Sequence, residues 1–342
     1  MFQYVSGLKI GEKLGSGAFG EVFCGEDPTH GKVAVKILSR RESHNDVTWP
    51  AFKVSYLAEA RNLAKAEHRN VVRVHHVVET PDGQSVAICM AFCPGGSLQV
   101  PYEKGPMTLS DVRKIGTNVL MGLQAIHARG MIHRDIKPAN ILLNNRNEPQ
   151  ISDFGLVTDE IVLGYASQAG YCDHIAYEVW HGKGTSIKSD IWALGMTLYR
   201  LLHGKSWYEE APPPAAIIPQ GGFADSLRWL PHVPKAWRTM LRKMLNDDDA
   251  KRYQSDDQVL NALAKLPTPQ DWEVCLTSNF VQWSRIQKSR RIVVEWNRPS
   301  MQKHQWEAWS EPLDKGRKRH LKGSQGEVSS KEALKGLEKF FS

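Results

Sequence analysis

The residues whose types could do chemistry are concentrated between His133 and Gly155, which read HRDIKPANILLNNRNEPQISDFG. Asp135, Lys137 and Asn140 occupy one loop and Asp153 opens a second. Between them lie apolar Ile141-Leu142-Leu143 and a polar turn from Asn144 to Asn147. Apolar runs bounded by turn formers predict a hairpin, which brings Asp135, Asn140 and Asp153 to one mouth. Two carboxylates and an amide oxygen are hard donors that suit Mg2+, an ion that usually arrives with phosphates. Either aspartate alone reads as a turn or capping residue. The set as a whole points to metal and phosphate chemistry.

Other elements must position that set. Ile10 to Leu14 alternates as a strand does and runs into Gly15-Ser16-Gly17-Ala18-Phe19-Gly20-Glu21-Val22, the spacing GxGxxGxV. Glycines let backbone N–H groups approach phosphates with no Cβ in the way. Alone, the pattern fits an ordinary hairpin turn or a dinucleotide loop equally well. The next strand, Val33-Ala34-Val35-Lys36-Ile37, buries a lysine among apolar residues, which is costly unless its ammonium meets an anion. Ala51 to Ala66 shows helical spacing through Phe52, Tyr56 or Leu57, Ala60, Leu63 and Ala64. Asn70 to Val78 and Ser85 to Met90 read as two further strands. Leu109 opens a helical pattern that lasts to His127.

Taken together, these stretches resemble the glycine-rich loop, strand lysine, catalytic loop and Asp-Phe-Gly motif of the eukaryotic-like (Hanks-type) serine/threonine protein kinases. The resemblance covers residues 8 to 266. It implies an α+β, two-lobed protein-kinase-like fold, with a small β-rich N-lobe (8–92) and a large helical C-lobe (93–266), and it implies ATP and Mg2+ as cofactors. Gly15, Ser16, Gly17, Ala18, Phe19 and Gly20 would cover the phosphates. Lys36 would hold the α- and β-phosphates and pair with a helix glutamate, Glu59 in preference to Glu67. Val22, Ala34, Met90, Phe92, Cys93 and Leu142 would surround the nucleotide, with Met90 guarding the back of the adenine pocket and Ala91-Phe92-Cys93 as the hinge. Asp135 would accept the attacking hydroxyl's proton or orient that hydroxyl, Lys137 would neutralise the γ-phosphoryl, and Asn140 and Asp153 would hold Mg2+.

The sequence Asp135-Ile136-Lys137-Pro138-Ala139-Asn140 is similar to serine/threonine rather than tyrosine kinases. By the same resemblance, Arg134 would pair with a loop phosphate on Thr158 or Ser167, Asp190 would hold the catalytic loop's backbone, and Glu178 would form a buried ion pair with Arg252. Two positions depart from the pattern. Gly170-Tyr171 stands where Gly-Thr is usual, and Ala176-Tyr177-Glu178 where Ala-Pro-Glu is usual. The leading expectation is an active kinase that transfers the γ-phosphate of ATP to protein hydroxyls, its own included. The alternative is a catalytically impaired kinase-fold protein that binds or regulates, and a third reading is a kinase of small molecules. The intact Lys36, Glu59, Asp135, Lys137, Asn140 and Asp153 favour the first.

Composition sets the remaining limits. A chain of 342 residues with 41% hydrophobic content can bury one large core or two ordinary ones. No apolar run reaches spanning length and no signal pattern opens the chain, so a soluble, cytoplasmic protein is expected. Five scattered cysteines without CxxC spacing argue against disulfides and against a zinc site. Pro267-Thr268-Pro269 marks a boundary, and residues 267–342 read as an accessory module of small α+β type. The module holds five of the eleven tryptophans, and its 14 Lys and Arg against 9 Asp and Glu supply most of the formal charge of +7. Ser329-Ser330-Lys331-Glu332 offers a capping box for a last helix. The basic run Lys315 to Lys322 reads as a solvated loop in preference to a nucleic-acid or anionic-surface contact. Such a module is expected to share a modest interface with the lobe before it, so that a chain ending at Leu266 keeps its nucleotide site.

Overall fold

The computed structural model describes residues 7–17, 20–39, 49–50, 53–54, 57, 64, 67–80, 82–153, 172–268, 271–300 and 302–342. The chain divides into two compact units. The first comprises residues 1–97, 118–135 and 139–162, and the second residues 98–117, 136–138 and 163–342. Among the described residues no helix is long and apolar enough to cross a membrane.

In the first unit, β1 (Lys9–Gly17), β2 (Gly20–Asp27), β3 (Gly31–Ser39), β4 (Val74–Glu79) and β5 (Ser85–Ala91) form one antiparallel sheet in the order β1-β2-β3-β5-β4. Strand parity gives it two different faces. Val33, Val35, Ala87 and Cys89 point to one face and form an apolar cluster with Leu8. Val22, Ala34, Lys36 and Met90 share the other through the pairs Val22↔Lys36 and Ala34↔Met90. The predicted catalytic hairpin is present as β6 (Ile141–Leu143) and β7 (Pro149–Ile151). It joins this unit because Ile151 N–H donates to the Asn70 carbonyl (2.9 Å) and Val72 N–H to that of Ile151 (2.9 Å). The first unit therefore reaches beyond the stretch 8–92 that motif reading assigns to the N-lobe.

The second unit is helical. Its α-helices are α1 (Gln99–Lys104), the first half of α2 (Leu109–His127), α3 (Tyr177–Trp180), α4 (Ile187–Tyr208), α5 (Pro214–Ile217), α6 (Phe223–Ser226), α7 (Lys235–Met244) and α8 (Asp256–Ala264). The central helix is α4, where Ile191, Trp192, Leu194, Met196, Leu198, Leu201 and Leu202 are all buried. Its start is fixed by a capping box between Ser186 and Ser189. It kinks at Gly204, where φ is +71° and a Cβ would lie 2.5 Å from the Gly105 carbonyl carbon, so only glycine fits. This five-stranded sheet and this helical assembly are those of a two-lobed protein-kinase-like fold.

Residues 267–342 belong to the second unit too. A five-stranded antiparallel meander runs β12-β11-β10-β9-β8: β8 (Glu273–Thr277), β9 (Phe280–Gln287), β10 (Arg290–Asn297), β11 (Gln305–Pro312) and β12 (Arg319–Gly323). The final helix α9 (Ser330–Phe341) carries the expected Ser329–Glu332 capping box and buries Ala333 and Leu337. The basic run is no free loop. Its second half is β12, and the Lys318 ammonium lies 3.5 Å from the centre of the Trp309 ring.

Specific side-chain contacts join residues 267–342 to the helices. Arg298, only 9% exposed, makes a two-pronged ion pair with Glu210 (2.5 and 2.8 Å) and lies over the rings of Trp207 and Trp296. Trp283 Nε1–H donates to His232 Nδ1 at 2.9 Å, and Trp237 Nε1–H to the Pro267 carbonyl at 2.8 Å. Phe341 packs edge-on against both Trp272 and His232. A chain ending at Leu266 therefore exposes Trp207 and leaves Trp237 without its acceptor. It is expected to melt below the intact chain or to aggregate; an unchanged Tm in differential scanning fluorimetry would contradict this.

Burial holds the pKa of both His203 and His232 down at about 3, against 6.5 for a free imidazole. Both stay neutral in the folded chain while the unfolded chain protonates them below 6.5. Stability is therefore whole above pH 6.5 and falls as pH drops towards 3, by up to about 1.4 kcal/mol per pH unit for each histidine. Urea titrations followed by tryptophan emission between pH 7 and 5 should show this slope. His232→Gln, which keeps an acceptor for Trp283, should make it shallower.

Candidate functional site

Lys36 is 5% exposed, on a strand flanked by Val35 and Ile37, so its charge needs a partner inside the fold. Its Nζ lies 2.6 Å from Oδ1 of Asp153, a carboxylate one-third exposed. Asp153 adopts φ +56°, a left-handed conformation unusual for a residue with a side chain, and Arg134 does likewise at +70°. Such backbone persists only where the surroundings over-determine it, which is the habit of functional loops.

A bonded network supplies that determination. Asn140 Nδ2–H donates to Asp135 Oδ2 at 2.7 Å and to the Asp135 carbonyl at 2.8 Å, closing the loop on itself. Asn140 in turn accepts at its carbonyl from Ser152 N–H (2.9 Å) and Ser152 Oγ–H (3.1 Å). His133, fully buried, bridges the two loops: its Nδ1 accepts from Asp135 N–H (3.2 Å) and its Nε2 lies 3.0 Å from the Ser152 carbonyl. Only the Nε2–H neutral tautomer serves both contacts. Asp135, Asn140 and Asp153, which the sequence expects at one mouth, are thus tied together within the first unit. Lys137 lies on the three-residue stretch 136–138 of the second unit.

The glycine-rich stretch pairs Gly15↔Val22, Ser16↔Glu21 and Gly17↔Gly20 across β1 and β2. Gly20 is obligatory, since a Cβ there would lie 2.3 Å from the Ile37 carbonyl oxygen. Gly15 has nothing within 4 Å of its Cβ position. Ala18 and Phe19 lie outside the described residues, as do Glu59, Thr158, Ser167 and Tyr171. Met90 is the penultimate residue of β5, Phe92 carries the Lys32 ammonium 4.2 Å from its ring centre, and Cys93 is buried with its thiol pushed up to about 11. Leu142 is half-buried and bridges to Ser97.

In the second unit, Arg252 meets Glu178 through two bonds of 2.6 and 2.7 Å, with 2% and 4% exposure, and also donates to the carbonyls of Asn246 and Lys188. Thr197, buried on α4, donates to the Ile136 carbonyl at 3.2 Å and so anchors the stretch that carries Lys137. Sequence reading assigned no role to His133 or Thr197. His133 precedes the loop motif directly, which is a signal; a threonine within an apolar helix gives none.

A glycine-rich strand pair, a lysine–carboxylate ion pair and an asparagine-locked aspartate define a class. The chain belongs to the protein kinase domain family, whose model matches residues 8–262. It is 31% identical to the serine/threonine-protein kinase PknB of Mycobacterium tuberculosis over 268 residues, 76% of this chain and 40% of that one. It is 28% identical to the serine/threonine-protein kinase ssp1 of Schizosaccharomyces pombe over 299 residues, 79% of this chain and 44% of that one. To the hormonally up-regulated neu tumor-associated kinase homolog A of Xenopus laevis it is 29% identical over 255 residues, 72% and 36% of the two chains. The chain thus spans about two-fifths of the length of these relatives.

The Glu178–Arg252 pair gives a direct test of the helical unit. Removing one partner strands a buried charge, so Arg252→Met or Glu178→Leu should each cost about 3–5 kcal/mol, whereas the double replacement should recover much of that loss. Denaturant midpoints of the two single variants and the double variant measure the coupling.

Proposed function

We propose that the chain is an ATP- and Mg2+-dependent serine/threonine protein kinase that acts on hydroxyls of protein substrates, its own among them. The observation that carries this reading is the convergence of Lys36, Asp153, Asp135 and Asn140 through bonds of 2.6 and 2.7 Å. The residues present fit the cofactors. Asp153 and Asn140 offer the oxygen donors that Mg2+ takes, and the open Gly15 position sits on the strand pair whose inward face carries Val22, Ala34 and Lys36. Mg2+ held by these residues would supply positive charge to offset that of a loose transition state.

The chain's own residues divide the remaining work. Lys36, held by Asp153, presents a fixed positive charge to the α- and β-phosphates. Asp135, oriented by Asn140 on one side and by His133 through its backbone on the other, aligns the attacking hydroxyl and takes its proton. Lys137 adds positive charge at the transferring phosphoryl. Val22, Ala34 and Met90 offer an apolar surface for the adenine. Cytoplasmic residence accords with Cys24, Cys89, Cys93 and Cys275, all free thiols.

The decisive experiment incubates the purified chain with labelled ATP and Mg2+ and maps phosphosites by mass spectrometry. Phosphoserine or phosphothreonine is expected, and its absence on the chain itself and on a mixed protein substrate would remove the proposal. Asp135→Asn should lower kcat by about two to four orders of magnitude, and Lys36→Met should abolish transfer, each with Tm little changed. Wild-type-like turnover in either variant would refute the assigned roles.

A further inference from the structure

A second cluster of chemistry-bearing residues lies on the opposite face of the same sheet. Asp27 ends β2, His76 lies on β4 and Cys89 on β5, and one ligand atom from each lies within 4.8 Å of the other two. Asp27 Oδ2 and His76 Nε2 are 3.6 Å apart, beyond hydrogen-bond range, and that Nε2 is buried without a hydrogen-bond partner among the described residues. Sequence separation hides the group: the three residues come from two hairpins, and none is part of a CxxC or HxxxH spacing.

The backbone aims them on purpose. Asp27 Oδ1 is already used, accepting from Thr29 and His30 N–H at 2.9 Å each, which fixes the carboxylate and leaves Oδ2 turned towards the cluster. His76 pairs directly with Cys89 across β4 and β5, and a register shift between Val74 and His76 re-aims the two histidines beside it. His75 stacks on His30 with ring centres 3.9 Å apart, and its Nδ1 is a second buried nitrogen without a partner. Cys89 lies opposite Val35, on the face away from Ala34, Lys36 and Met90, so the cluster is separate from the nucleotide face.

We propose that Asp27, His76 and Cys89 form a binding site for a borderline divalent transition-metal ion of the zinc type. Oxygen, imidazole nitrogen and thiolate sulfur are the three donors such ions accept, and tetrahedral coordination at the usual bond lengths puts donor atoms about 3.3–3.8 Å apart. The Asp27–His76 spacing of 3.6 Å is already of that size. The fourth position faces the half-buried His76 side and falls to water. Without the ion the Cys89 thiol is held protonated, its pKa pushed up to about 12 by burial and by the Asp27 carboxylate. Coordination forms the metal–sulfur bond and releases that proton to solvent, with no change of oxidation state. The ion would tie the β2–β3 hairpin to β4 and β5. Mg2+, which takes oxygen donors, should not compete for it.

Cobalt(II) is the probe. The full chain, stripped with chelator, is titrated with Co2+ and watched for the near-ultraviolet thiolate-to-cobalt absorption, then back-titrated with Zn2+. We expect the band to saturate at one equivalent, to bleach with zinc, to survive millimolar Mg2+, and to persist in Asp153→Ala. Cys89→Ser should abolish it. Cys89 is fully buried, so His76→Gln, at a half-buried position, is the companion variant, with Co2+ affinity expected to fall more than tenfold. No thiolate band in the intact chain, an equal band in Cys89→Ser, or unchanged affinity in His76→Gln would each overturn the proposal.

Discussion

Everything at the nucleotide face depends on one buried positive charge. The Lys36 ammonium, buried on the face it shares with Val22, Ala34 and Met90, cannot remain without a counter-charge, and the chain supplies it from Asp153, 117 residues further on. That requirement fixes more than a side-chain contact. It demands that the β6–β7 hairpin be fastened to the sheet, which the backbone bonds through Asn70, Val72 and Ile151 accomplish. It also demands a loop that turns Asp153 inward, which costs an unusual backbone conformation at that residue. Lys36 is thus a structural commitment in its own right.

The same logic runs through the loop that carries Asp135. The Asp135 carboxylate is held in one orientation by its neighbours in the loop. Here the Asn140 amide donates to the carboxylate and to the Asp135 carbonyl, and His133 accepts from the Asp135 backbone N–H. Where a full ion pair is used, as in Glu178 with Arg252, it is buried within the helical unit and serves packing.

Much of this is legible in the sequence because motif residues act locally: the glycine spacing, the lysine in an apolar strand and the loop from His133 to Asn140 each state their geometry within a few positions. The Glu178–Arg252 pair was legible only through family resemblance, as nothing in the spacing of 74 residues announces it. The packing of residues 267–342 was not legible. Tryptophan content predicted a core, but no periodicity says that Arg298 reaches Glu210 or that Trp283 seeks His232. The meander buries residues on both sheet faces, and sequence alternation cannot name what covers each. The Asp27, His76 and Cys89 group was missed for a related reason: cysteine arithmetic looks for short spacings, whereas strand pairing brings these residues together.

The basic run near the end of the chain acquires a different meaning once β12 is placed. Its second half is an edge strand of the meander, with Arg319 to Lys322 all exposed, and such a rim is where another strand could extend the sheet. Cationic side chains along such a rim make two copies repel before their backbones can pair. Two basic residues, Arg319 and Lys322, thus sit where self-templating would begin, and what resembles an invitation to polyanions works as a fence between like molecules.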